Sequence, residues 1–200
     1  MKVVNRWVYV IVGCVALLLS GLVYAWSVLS GPIAAEFPQW SAAQLSLTFT
    51  IVMSFFCIGG LVGGFLAGKV SQKVYLWVSA ALFLVGFLLS ANLRSLAMLY
   101  IGFGVICGFA SGFSYNAVLA TVGKWFPDKQ GLISGILLMG FGISSFLIGK
   151  LYQVCTPDAI GAWRRSFIVL GVVSAVVMAI CGVFLEKPGK DFAPPAAASV

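Results

Sequence analysis

The chain has 200 residues, 62% of them hydrophobic and only 8% charged, with twelve Lys and Arg against five Asp and Glu. Average soluble domains carry about 25% charge, so these few charged side chains could not coat a soluble fold, and a membrane protein is the reading that remains. Histidine is absent and the five cysteines (Cys14, Cys57, Cys107, Cys155, Cys181) form no CxxC pair, which argues against a zinc or haem site and for no metal or cofactor.

The charges themselves mark out the elements. No charged residue lies between Arg6 and Glu36, Glu36 and Lys69, Lys73 and Arg94, Arg94 and Lys124, Lys129 and Lys150, or Arg165 and Glu186. Each interval reaches the roughly 20 residues that a helix needs to cross the hydrocarbon core. The expected spans are 7–29, 45–67, 75–91, 96–121, 131–152 and 167–185, with 186–200 a Pro- and Ala-rich cytoplasmic tail or the start of a linker. Runs such as "ALFLVGFLL" do not alternate apolar and polar residues, so helices are expected and not barrel strands. The apolar run after "MKVVNRW" exceeds the length of a signal h-region and reads as an uncleaved first span.

Small and polar residues are unevenly spread over these spans. The first holds Ser20, Tyr24, Ser27 and Ser30, and by α-helical period Ser20, Tyr24 and Ser27 share one face. The second holds Ser46, Thr48, Thr50 and Ser54, with overlapping GxxxG pairs among Gly59, Gly60, Gly63, Gly64 and Gly68. The third and sixth are poor in polar groups. The fourth carries Gly104, Gly108 and Gly112 on one face, and Ser111, Ser114, Tyr115, Asn116 and Thr121; the fifth has Gly131, Gly135, Ser134, Ser144 and Ser145. The glycines fit close helix packing. Polar groups at membrane depth belong against protein or water, so spans one, two, four and five are expected to surround a polar path, with three and six facing lipid. A single Ser can instead bond its own helix, which makes Tyr24, Tyr115 and Asn116 the stronger candidates. No acid or base lies deep in any span, so neither a proton-coupling carboxylate nor a buried cation is available.

Orientation follows from Lys and Arg. With the N-terminus inside, Lys2, Arg6, Lys69, Lys73, Lys124, Lys129, Lys187 and Lys190 fall on the inner side, twice as many as Arg94, Lys150, Arg164 and Arg165 outside. Both termini are therefore expected in the cytoplasm of a multi-pass protein of the inner (plasma) membrane. The net charge of +7 reads as this topology signal and as membrane-surface complement, not as nucleic-acid binding.

"NRWVYV" at 5–10, "SGLVYAWSVLSGPIAAEF" at 20–37 and above all "GKWFPDKQGLISGILLMGFG" at 123–142 carry a resemblance that covers nearly the whole chain. It resembles the amino-terminal half of a major facilitator superfamily transporter, and within that superfamily the oxalate/formate antiporters related to monocarboxylate porters. The resemblance implies an all-α integral membrane fold in which six transmembrane helices form one half of the superfamily fold as a 3+3 inverted repeat. It implies alternating-access transport of small organic anions such as oxalate, formate or other monocarboxylates, with Tyr24 and Tyr115 matching the aromatic positions that line the site. The superfamily's loop after span two reads Gly-x-Leu-Ala-Asp-basic-x-Gly-basic-basic. Gly64 to Lys73 follows it with Lys69 and Lys73 kept, but Gly68 stands in the acidic position, Ser71 in that of the second glycine and Gln72 in a basic one.

The candidate substrate-binding set is Tyr24, Tyr115, Asn116, Ser20, Ser27 and Ser111. The gate and loop motif is Gly64, Lys69, Lys73, Lys124, Asp128 and Lys129, in which Asp128 is expected to cap span five. Arg164 and Arg165 are read as snorkelling residues beside Trp163, or else as an external anion-attracting pair. Glu36 and Asp158 are read as solvated loop acids. The expected partners are a small carboxylate, the lipid bilayer, and a second six-helix half or a second copy of the chain. A truncated or half-length transporter is the leading expectation, and a non-transporting half that only associates with a partner is the alternative. An intramembrane enzyme is disfavoured, because no nucleophile–base pair falls within a span.

Overall fold

A computed structural model describes residues 5–156 and 159–189. Lys2, Asp158, Lys190 and most of the expected tail lie outside the described residues. Six helices are long and apolar enough to cross a membrane: α1 (Trp7–Glu36), α2 (Ala42–Phe65), α3 (Gln72–Ala91), α4 (Leu96–Gly123), α5 (Pro127–Val154) and α6 (Trp163–Phe184).

Local chemistry sets several boundaries. Ser41 and Gln44 form a reciprocal capping box that starts α2. The Ser95 hydroxyl accepts from the Met98 amide to start α4. Gly68 ends the turn after α2 at φ +87°, a left-handed conformation that glycine enters without steric cost. The motif's acidic position is thus a glycine where the backbone turns. α1 runs on past the expected end at 29 to Glu36, where Arg164 and Trp163 hold its last residue.

The contacts obey an internal two-fold. α1 packs on α5 as α2 packs on α4, α1 meets α6 as α4 meets α3, and α3 lies along α6. Exchanging α1–α3 with α4–α6 maps this set onto itself, which is the pairing that a 3+3 inverted repeat requires. α2 and α4 meet backbone to backbone: a Cβ on Gly112 would collide with the Phe56 carbonyl, and one on Gly59 with that of Phe109. This close approach gains dispersion contacts where lipid supplies no hydrophobic drive. The expected packing role does not extend to Gly64, Gly68, Gly131 and Gly135, which have open space where a Cβ would stand.

Two departures from α geometry shape the centre. Gly21–Ala25 of α1 winds as a 3-10 turn, and Tyr100–Cys107 of α4 as a π-helix. The buried core is aromatic, with Phe83, Phe87, Phe103 and Phe167 fully enclosed between α3, α4 and α6. Along their middle turns, α3 and α6 expose large apolar side chains, among them Val78, Val85, Val172, Val176 and Ile180.

Candidate functional site

Five aromatic rings from four helices meet on the open side of the bundle. Phe141 of α5 lies 5.3 Å from Tyr24 of α1, 4.9 Å from Tyr115 of α4 and 5.9 Å from Phe56 of α2 between ring centroids. Phe56 also touches Tyr115 at 5.4 Å, and Phe49 touches Tyr24 at 5.9 Å. The pairs are edge-on or tilted, the arrangement that ring quadrupoles favour. Tyr24 remains 37% exposed and Tyr115 is half-buried. Neither phenol hydroxyl has a hydrogen-bond partner among the described residues. Beside them α2 presents Thr50, Ser54 and Cys57, three exposed small residues at helical spacing.

The other candidate binding residues lie elsewhere. Ser20 is fully buried: its hydroxyl donates to the Ala16 carbonyl and lies 2.7 Å from that of Ser114, while Ser111 donates to the Ser20 carbonyl at 2.5 Å. These groups fasten α1 to α4 and do not line an open face. The shared face expected for Ser20, Tyr24 and Ser27 is broken by the 3-10 turn. At three residues per turn, Tyr24 is rotated about 80° further from Ser20 than an α-helix would place it. Asn116 donates to the Gly60 carbonyl at 2.7 Å and ties α4 to α2. Ser27 lines a separate cavity of about 570 Å³ towards the other end of α1, with Tyr152, Gln153 and Thr156 of α5 and its following turn.

The loop residues gather at one end of the bundle. Arg6 grips Asp128 through both guanidinium nitrogens at 2.7 and 3.0 Å, with its charge above the Phe126 ring. Asp128 is therefore an ion-pair partner; it makes no cap hydrogen bond to α5, because its carboxylate is turned towards α1. Lys73 pairs with Glu186 at 2.9 Å. Lys69, Lys124 and Lys129 are exposed, as is Gly64.

At the opposite end the expectation for Glu36 is corrected. Its side chain is 18% exposed, bound by Arg164 and by the Trp163 indole N–H at 2.6 Å. Arg164 also donates to the carbonyls of Ala91 and Leu93 at 3.0 and 3.2 Å, so it is a tether between three chain segments and not an anion attractor. Composition gave no hint of Phe141, the hub of the aromatic wall, because an apolar ring in an apolar span carries no pattern. Phe49 and Phe56, seven residues apart, were readable as one face. The sequence puts the opposite charges of each end pair on the same side, but it does not show which helix ends adjoin and so which charges pair.

The Major Facilitator Superfamily profile matches residues 11–199. The chain belongs to the Major Facilitator Superfamily. Similar proteins include an uncharacterized MFS-type transporter, YhjX, of Escherichia coli, 29% identical over 183 residues, with 92% of this chain and 44% of that protein covered. The oxalate:formate antiporter of Oxalobacter formigenes is 24% identical over 190 residues, covering 94% and 44%. Monocarboxylate transporter 13 of Rattus norvegicus is 27% identical over 169 residues, covering 84% and 39%. The inward-open xylose transporter XylE of E. coli superposes with a TM-score of 0.74 at 17% identity, covering 92% of this chain and 49% of that one. The chain thus spans less than half the length of these curated relatives. Its six helices form one half of the superfamily fold, in agreement with the two-fold contact pattern.

Proposed function

We propose that this chain is the six-span half of a secondary transporter of small organic anions, with oxalate, formate and other monocarboxylates as the substrate class. The observation that carries the reading is the aromatic wall, where partly exposed Tyr24 and Tyr115 meet Phe141 and neither hydroxyl has a hydrogen-bond partner among the described residues. A polar group at that depth needs water or a ligand to satisfy it, and two phenol donors suit a carboxylate oxygen. Phe141, Phe49 and Phe56 give the remainder of the wall an apolar surface against a short carbon skeleton. No cation lies deep within these spans, so the charge that balances a carboxylate is supplied by the partner half across the path. The oxalate:formate antiporter and the monocarboxylate transporter among the relatives support this substrate class. The apolar outer faces of α3 and α6 meet lipid, both termini lie in the cytoplasm of the plasma membrane, and the halves rock about the wall in alternating access.

Counterflow in proteoliposomes tests the reading. The product of the complete reading frame should exchange at least one labelled member of a panel of formate, oxalate, lactate and pyruvate, and the 200-residue chain alone should exchange none. Exchange of sugars in place of all four acids contradicts the substrate class, and oxalate transport by the 200-residue chain contradicts the half-transporter reading.

A further inference from the structure

A second cavity, of about 380 Å³, lies at the end of the bundle that carries the Arg6–Asp128 pair, between the α2–α3 turn and the residues after α6. Its size falls within the roughly 300–1,000 Å³ of small-molecule sites. Lys69, Lys73 and Lys187 line it against one acid, Glu186, which is paired with Lys73. The start of α3 opens into the same space: Ser71 takes the extended N-cap conformation, but its side chain makes no cap hydrogen bond. The Gln72 and Lys73 amides that open this 20-residue helix thereby have no acceptor among the described residues, while the Val74 amide bonds the Ser71 carbonyl. Gln72 also lines the cavity; it is only 8% exposed, and its buried Oε1 has no partner. A carboxamide offers both a donor and an acceptor, which fits a ligand carrying a hydroxyl beside its anionic oxygens. The side of α3 and α6 next to this cavity is apolar and exposed at Val74, Trp77, Val183 and Phe184.

We propose that this cavity binds the headgroup of an anionic glycerophospholipid. The phosphodiester is held by Lys69, Lys187 and the α3 N-terminus, the glycerol hydroxyl by Gln72, and the acyl chains run along the α3–α6 face. The lipid source follows from the position: an ammonium cluster at the membrane boundary, directly above an apolar helix face, meets headgroups and acyl chains together. The same phosphoglycerol chemistry in a soluble metabolite would have no use for that face.

Lipid retention by the purified 200-residue chain, read by native mass spectrometry after exchange with equal phosphatidylglycerol and phosphatidylcholine, tests the site. Phosphatidylglycerol should be retained preferentially. The Lys69→Gln/Lys187→Gln variant should lose this preference by roughly 30-fold, about fivefold per lysine, and Gln72→Glu should lower it with both lysines present. The control Lys124→Gln/Lys129→Gln, at the same end of the bundle, should keep it. An equal loss in that control would show a diffuse charge effect and overturn the site. Displacement of the lipid by millimolar glycerol 3-phosphate would overturn the lipid source, as would equal retention of both lipids by the unmodified chain.

Discussion

At the scale of residues, the groups that looked solvated or functional by type are mostly tethers between helices. Arg6 and Asp128 close one end of the bundle and Arg164 and Glu36 the other, each joining segments more than 100 positions apart in the chain. A bidentate, half-buried pair holds more than an exposed one, because both partners are already ordered and partly desolvated. Asp128→Ala should therefore lower the melting temperature of the purified chain in detergent, while Lys129→Ala, one residue on and exposed, should leave it unchanged; equal melting of both variants would contradict the pairing. The buried serines act on a smaller scale. Ser20→Ala removes one interhelical contact in lipid and should cost about 0.6 kcal/mol, measurable as a small shift in the same melting experiment. The signs and sides of the end charges were legible in the sequence. Their pairing was not, since it depends on which helix ends lie next to each other.

At the scale of elements, six spans were readable because a charge every 20 to 30 residues is a physical ruler for the bilayer. What periodicity could not show is where a helix leaves α geometry. The 3-10 turn at Gly21–Ala25 separates buried Ser20 from exposed Tyr24, and this removes Ser20 from the wall while leaving Tyr24 on it. The turn coincides with a close crossing, where a Cβ at Gly21 would collide with the Phe141 carbonyl and the Ser144 hydroxyl. Glycine patterns were legible as packing on α2 and α4 but overread on α5, whose Gly131 and Gly135 meet nothing. Gly112→Val tests the α2–α4 crossing. Overpacking costs about 1–3 kcal/mol or more, so this variant should melt well below the unmodified chain and Gly135→Val close to it. Equal melting of the two would contradict the crossing.

At the scale of the whole molecule, the inverted repeat leaves α1, α2, α4 and α5 sharing one open side, while α3 and α6 pack along each other behind it. The aromatic wall lies on that open side, while hydroxyls on the same spans such as Ser20, Ser111 and Ser114 are buried between helices. If the open side borders water, Cys57 should react in membranes with a small charged thiosulfonate, while buried Cys107 and Cys181 should not. A background with Cys14 and Cys155 changed to Ser isolates the comparison, and an unreactive Cys57 would place α2 against lipid. The central claim is that Tyr24 and Tyr115 contact a carboxylate substrate. Its most direct measurement is half-saturation for oxalate or formate, whichever is exchanged, in counterflow by the product of the complete reading frame carrying Tyr24→Phe or Tyr115→Phe. Loss of a hydrogen bond to a charged group should raise it about tenfold or more in each variant; unchanged half-saturation in both would contradict the claim.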